Sequence, residues 1–265
     1  MAKDGRQLRN LFSDYSAFYN DASIIPQQSD EQETLFFAAL VATQKSKVID
    51  IGCAEGKLAI ELSKRHHQVT AADISEAFLQ ETRRNAEKSG VSVRTVLFDA
   101  EQEIGPLSGE LFDTIFLMDV VEHFRNPVAA LSNIRELLSD DGQLIIHTPN
   151  CVSLGRIQHY FLNQKKARLN YFDPSVLDDL HFQLYDQRSL EKTLNFVGLS
   201  VIKMVPTKFT SLGVGKIAKI LVSLPRAIAT IFPFLADTLL FVCEKCDPIN
   251  IAQQIKYWQE HNIKP

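Results

Sequence analysis

The sequence predicts an open, doubly wound α/β sheet with helices on both faces. Three observations carry this. Short apolar runs rich in β-branched residues alternate with stretches of helical periodicity from residue 47 to residue 206. The first run, Val48-Ile49-Asp50-Ile51, breaks into Gly52-Cys53-Ala54-Glu55-Gly56 and continues as Leu58, Ala59 and Leu62 at helical spacing. Successive runs then place an acidic residue at or near their carboxyl ends: Asp50, Asp73, Asp99 and Asp119. A strand that turns through glycines into a helix lets backbone approach a ligand, and the helix start offers free N–H groups.

The bulk numbers fit one large α/β domain with additions. The chain has 265 residues, 45% hydrophobic and 23% charged. A net charge of −4 and a pI near 6.0 give no support to a nucleic-acid surface, which would normally be basic, so no nucleic-acid partner is expected, with a local basic groove left open. Cys53, Cys151, Cys243 and Cys246 are too few for a disulfide scaffold. Cys243-Glu244-Lys245-Cys246 has C-x-x-C form, but no second pair completes a zinc site. The first twenty residues are charged throughout and lack a signal-peptide pattern, which predicts a reducing, cytoplasmic setting.

In chain order, residues 4–20 predict a helix with Leu8, Leu11, Phe12, Tyr15, Phe18 and Tyr19 on one face. Ser29-Asp30-Glu31-Gln32 reads as a capping box for a second helix reaching Ala42. Residues 1–46 are thus expected to be a helical lid before a domain over 47–246. The strand Gln68–Ala72 ends at Asp73, about 20 residues after the glycine turn. Ser75 caps a helix from Glu76 to Ser89, closed by Gly90. Strands follow over Val91–Phe98 and Leu111–Asp119. Asn126-Pro127 starts a helix with Leu131, Ile134, Leu137 and Leu138 inward, and Asp140-Asp141-Gly142 reads as a turn into a strand over Gln143–His147. His66 and His67 read as surface residues. Residues 151–185 are the least patterned, and a capped helix before Gly198 precedes a strand over Leu199–Pro206. A last strand is expected over Thr238–Glu244.

The insert 208–237 stands apart. Lys216, Lys219, Ser223 and Arg226 recur at helical spacing opposite Ile217, Ile220, Leu221, Leu224 and Ile228. Charges and Pro225 and Pro233 exclude a bilayer span. Peripheral contact with a membrane or a lipidic substrate through 212–236 is one reading; a lid or dimer helix is the other. The polar tail 247–265 carries no assigned chemistry, and the oligomeric state is not readable.

A dinucleotide site needs Gly-x-Gly-x-x-Gly, which is absent. Asp50, just before the turn, would repel a diphosphate and attract a cationic amino group. A nucleoside carrying an amino acid fits better, and S-adenosylmethionine (SAM) is such a molecule. Asp50-Ile51-Gly52-Cys53-Ala54-Glu55-Gly56 resembles motif I of class I SAM-dependent methyltransferases, with Ala54 where the usual pattern has a third glycine. Asp119-Val120-Val121-Glu122-His123-Phe124 is similar to the segment after the fourth strand in ubiquinone-biosynthesis O-methyltransferases and type 11/12 methyltransferase domains.

The resemblance spans 47–206. It implies a seven-stranded Rossmann-like sheet with the last strand antiparallel. It assigns cofactor binding to Asp50, Gly52, Cys53, Ala54, Gly56, Asp73, Ile74, Asp99, Ala100 and Met118. Asp73 would hold the ribose hydroxyls, and Asp99 with the Ala100 N–H would face adenine. Tyr15 or Tyr19 would lean over the cofactor, unless the stripe only docks the helix. If the acceptor is a hydroxyl, His181 or His123 is the expected base. Asp119, Glu122 and His123 are candidate ligands for a divalent metal, although the same spacing occurs in metal-free relatives. The expectation is O-methylation of a small, lipidic or aromatic acceptor. N- or C-methylation and a non-catalytic SAM-fold partner remain the alternatives.

Overall fold

The computed structural model describes residues 46–102, 104–153, 181–208 and 236–248. The expected helices of 4–42, Tyr15, Tyr19, the bulk of the insert and the tail beyond residue 248 lie outside the described residues. Seven strands form one sheet in the order β3-β2-β1-β4-β5-β7-β6: β1 Lys47–Ile51, β2 Gln68–Asp73, β3 Arg94–Leu97, β4 Phe112–Met118, β5 Leu138–Pro149, β6 Leu199–Lys208 and β7 Thr238–Lys245. β1 pairs in parallel with β2 and β4, and β2 with β3, whereas β6 and β7 are antiparallel. The helices are α1 Lys57–Lys64, α2 Glu76–Lys88, α3 Pro127–Leu137 and α4 Gln187–Phe196. The expected sheet, with its reversed last strand, is present. Among the described residues no helix is long and apolar enough to cross a membrane.

The chain divides into two compact units, Met1–Met118 with Glu136–Leu144, and Asp119–Arg135 with Ile145–Pro265. In the first, the central strand β1 is an apolar run because both its edges are paired and it is covered: Val48, Ile49 and Ile51 are buried. Leu58, Ala59 and Leu62 of α1 and Phe78, Leu79 and Ala86 of α2 supply further core. The Ser75 hydroxyl accepts the Phe78 N–H at 3.3 Å, and Gly90 takes φ 67° after the helix, as the caps predict. In the second, Asp186 and Ser189 form a reciprocal capping box at the start of α4. Gly198 closes that helix at φ 81°.

Three expectations are corrected. Residues 140–142 are not a turn: β5 runs through them from Leu138. Gly142 is there for closeness, since a Cβ would lie 2.7 Å from Ser139 Oγ, 2.9 Å from Leu138 Cδ1 and 3.0 Å from the Phe112 carbonyl oxygen on β4. β3 is confined to Arg94–Leu97, four residues of the eight expected. His67 is buried rather than exposed, with Nδ1 3.4 Å from the Ser46 backbone nitrogen.

Candidate functional site

The first unit builds its site on the turn after β1. Gly52, Ala54 and Gly56 all take positive φ, at 75°, 47° and 81°. Two of these are glycines, for which the conformation is free; Ala54 is not, and its neighbours hold it there. Its N–H donates to Asp73 Oδ2 at 3.0 Å, and its carbonyl accepts the Thr82 hydroxyl at 2.8 Å. Ala54 therefore occupies the place of the usual glycine in a glycine-like backbone, at a strain that two hydrogen bonds offset. Asn85, three residues after Thr82 on α2, donates to the Glu55 carbonyl at 3.1 Å. Gly56 has a second reason to lack a side chain: a Cβ would sit 2.5 Å from Thr82 Cγ2.

Asp73 ends β2 beside this turn. Its Oδ1 accepts the Ser75 N–H at 2.9 Å while Oδ2 takes Ala54. Burial raises its pKa, and the amides of Ser75, Ala54 and Ile74 pull it back. Asp50 lies deeper, paired in register with Ala71, and is 2% exposed. Burial pushes its pKa up to about 7, the nearby charge of Asp73 adds to this, and the Ala59 amide opposes. The two carboxylates thus sense one another. Burial, with those two acids, also raises the Cys53 thiol, so it is an inert packing group. Asp99 follows β3, and its Oδ1 accepts the Glu101 N–H at 2.9 Å; Ala100 is buried, and Ile74 and Met118 are half-buried.

The second unit begins at Asp119, the residue after β4. It takes φ 54° and donates its N–H to the His147 carbonyl at 2.9 Å. Its Oδ1 is 2.9 Å from Nδ1 of the buried His147 ring. A 3-10 turn over Val121–His123 then buries Glu122. Glu122 Oε2 accepts the Thr148 hydroxyl at 3.0 Å. Burial pushes the Glu122 carboxyl up to about 8; Asp119 adds to this, and the local amide, Thr148 and His147 oppose. The Gln183 N–H donates to the Glu122 carbonyl at 3.0 Å, which brings the 181–185 stretch alongside. His181 then meets His123 edge to face, with ring centroids 4.8 Å apart.

The structure therefore brings Glu122, His123 and His181 together, their ligand-capable atoms all within 4.8 Å of one another. Asp119, which adjacency in sequence groups with Glu122 and His123, gives its carboxylate to His147 instead. Thr82, Asn85, His147 and Thr148 were not singled out from the sequence. For Thr82 and Asn85 the spacing of three on one helix face was an available signal; for the others only the fold supplies it. None of the four cysteines forms a disulfide, and burial lifts Cys243 above the ordinary thiol range.

A family described as "Methyltransferase domain" matches residues 26–204. A ubiquinone biosynthesis O-methyltransferase of Dinoroseobacter shibae is 36% identical over 104 residues, covering 39% of this chain and 41% of that protein. One from Actinobacillus pleuropneumoniae is 33% identical over 107 residues, covering 39% and 46%. The match thus spans less than half of these relatives. Among solved structures, a magnesium protoporphyrin IX methyltransferase from Synechocystis with bound SAH superposes at TM-score 0.60, with 16% identity, over 88% of this chain and 98% of that one. The CcbJ methyltransferase of Streptomyces caelestis gives 0.58 and 14%, over 86% and 98%. These two likenesses establish the fold. With the family match covering most of the described strands and the turn, this chain belongs to the methyltransferase-domain family.

Proposed function

We propose that this chain transfers a methyl group from SAM to a hydroxyl oxygen of a small acceptor. The observation that carries the reading is the Asp73 clamp on a left-handed turn. Asp73 Oδ2 accepts the Ala54 N–H and Oδ1 the Ser75 N–H, and the remaining lone-pair sites of the carboxylate are there to accept ribose hydroxyls. The donor set suits SAM. Asp50 and Asp73 are two buried acids that would repel a diphosphate and can receive a cationic amino acid. SAM supplies the electrophilic methyl when bound. Asp99 and the Ala100 N–H are assigned to the adenine edge, and Gly52, Cys53, Ile74 and Met118 to packing around the cofactor.

The transfer itself is an in-line displacement, for which placement of the acceptor matters most. A hydroxyl acceptor must also lose its proton. The His123–His181 pair is assigned this duty, with His181 favoured because it belongs to the less patterned, substrate-side stretch. The name of the curated relatives supports an oxygen acceptor. The test is methyl-labelled SAM incubated with the protein and a cell extract split into lipid, small-molecule and macromolecular fractions. Label is expected in the first two, and label confined to macromolecules would refute a small acceptor. With the acceptor found, His181→Ala is expected to lower kcat about 100-fold while calorimetric SAM affinity is unchanged. An unchanged kcat would move the chemistry away from this pair.

A further inference from the structure

Thr82 puts a hydroxyl where packing alone would favour an alkyl group. It lies on the inner face of α2 with Phe78, Leu79 and Ala86, and it has no exposed surface. A threonine inside a helix often returns its proton to the carbonyl four residues back. Thr82 instead donates to the Ala54 carbonyl, 28 residues earlier in the chain, at 2.8 Å. One turn further along α2, Asn85 donates to the Glu55 carbonyl at 3.1 Å. Helix α1 takes up backbone bonding from Gly56, whose carbonyl accepts the Ile60 N–H at 2.9 Å. The two carbonyls before it are served by α2, from outside the turn. We propose that Thr82 and Asn85 are positioning residues for the cofactor, holding the turn over 54–56 in the left-handed form that receives SAM.

The need for them is particular to this chain. Alanine at φ 47° is disfavoured where glycine is not. An Ala54 turn without those bonds would spend part of its time in other conformations, and apparent affinity falls with the fraction of chains that are competent to bind. Asp73 restrains the same residue through the Ala54 N–H at 3.0 Å, but the proposed function also gives Asp73 to the ribose. Thr82 is different. It is fully buried, so it meets no ligand and acts only through the turn. Its Cγ2 lies 2.5 Å from where a Cβ on Gly56 would be, which keeps helix and turn in close contact. The inference rests on SAM as the cofactor, and it adds which residues outside the binding surface set the affinity.

The test is calorimetric SAM affinity on the full chain, in a double-mutant cycle of Thr82→Val and Ala54→Gly. With Ala54 in place, Thr82→Val should weaken SAM binding about 10-fold, which is about 1.4 kcal/mol and within the cost of a left-handed L residue. In the Ala54→Gly background the same substitution should weaken binding by less than about 3-fold, because glycine adopts the conformation unaided. Thr82→Ser keeps the hydroxyl and should bind SAM within about 3-fold of the wild type. Amide exchange reads the turn with no ligand present. The Ala54 and Gly56 N–H groups should exchange about 10-fold faster in Thr82→Val than in the wild type. If circular dichroism shows that Thr82→Val does not fold, Asn85→Ala takes its place in the same cycle with the same expectation.

The proposal fails if Thr82→Val loses stability in denaturant yet binds SAM as the wild type does, the mark of a merely structural hydroxyl. It fails equally if the loss of affinity is the same in both backgrounds, or if the two amides exchange at wild-type rates. A wild-type chain that binds no SAM up to about 1 mM removes the cofactor reading and the proposal together. A wild-type chain that binds SAM, with no coupling between residues 54 and 82, removes the proposal and keeps the cofactor.

Discussion

Two buried carboxylates, Asp73 at the end of β2 and Glu122 on the 3-10 turn after β4, meet burial in different ways. Asp73 is surrounded by the amides of its own turn and of the neighbouring one, with both oxygens occupied. Among the described residues, Glu122 Oε2 accepts the Thr148 hydroxyl and Oε1 has no hydrogen-bond partner. The first carboxyl is restrained by N–H groups that favour its charge, while the second is pushed up to about 8. The contrast separates a cradle, whose donors are part of the backbone and cannot be mutated away, from a pocket whose carboxyl oxygen Oε1 has no hydrogen-bond partner among the described residues.

The most severe break of the cradle is Gly56→Val. It adds a side chain at φ 81° and 2.5 Å from Thr82. The left-handed strain of ~1–2 kcal/mol and the overpacking of ~1–3 kcal/mol together predict a loss of about 2–5 kcal/mol in denaturant unfolding. A variant as stable as the wild type would show that the turn yields freely. Next comes Asp73→Asn, which sets an NH2 group against one of two amide donors and weakens the ribose contact. Calorimetry should show SAM affinity reduced about 10–100-fold, and unchanged affinity would remove Asp73 from the cofactor site.

A smaller effect follows from Asp50. Its folded pKa, about 7, lies above the ordinary value of 3.8, so the folded chain holds a proton that the unfolded chain has released between these limits. Its contribution to stability is full below about pH 4 and is lost as pH rises towards 7, with a slope of at most about 1.4 kcal/mol per pH unit. Asp50→Asn should flatten that part of the stability profile. Part of the slope should survive, because Asp73 is raised as well. A profile unchanged by the substitution would mean that Asp50 is better solvated than its burial implies. Thr148→Val tests the Glu122 pocket most gently: it removes the hydroxyl that donates to Glu122 Oε2 and should cost ~1–2 kcal/mol. An equal cost for Thr148→Ser would point to packing rather than to the hydrogen bond.

The cradle was legible in the sequence because its parts are local or regularly spaced. The glycine turn, Asp50, Asp73 and the Ser75 cap all lie within 27 residues of one strand–turn–helix–strand unit, and each residue type has a backbone reason to be there. Even Ala54, the departure from pattern, adopts the expected backbone. The Glu122 pocket was only half legible. Glu122, His123 and His181 stand out as chemical groups, but the spacing groups His123 with Asp119 and says nothing of His147 or Thr148. These meet Asp119 and Glu122 only because β5 returns beside β4, a contact that separates them by 26 to 28 residues of chain. The turn expected at 140–142 failed for a related reason. Gly142 answers to crowding, from Ser139 and Leu138 of its own strand and from the Phe112 carbonyl of β4, rather than to a change of chain direction.

The order β5-β7-β6 has a consequence for how the polypeptide matures. The strand that joins β5 to β6 is the last of the seven to be synthesised. Until residues 238–245 leave the ribosome, both of those neighbours carry an open row of amides and carbonyls. A nascent chain halted before that point would therefore offer two unpaired edges more than the finished sheet, one on β5 and one on β6, and a chaperone or a premature stop would act with most consequence there.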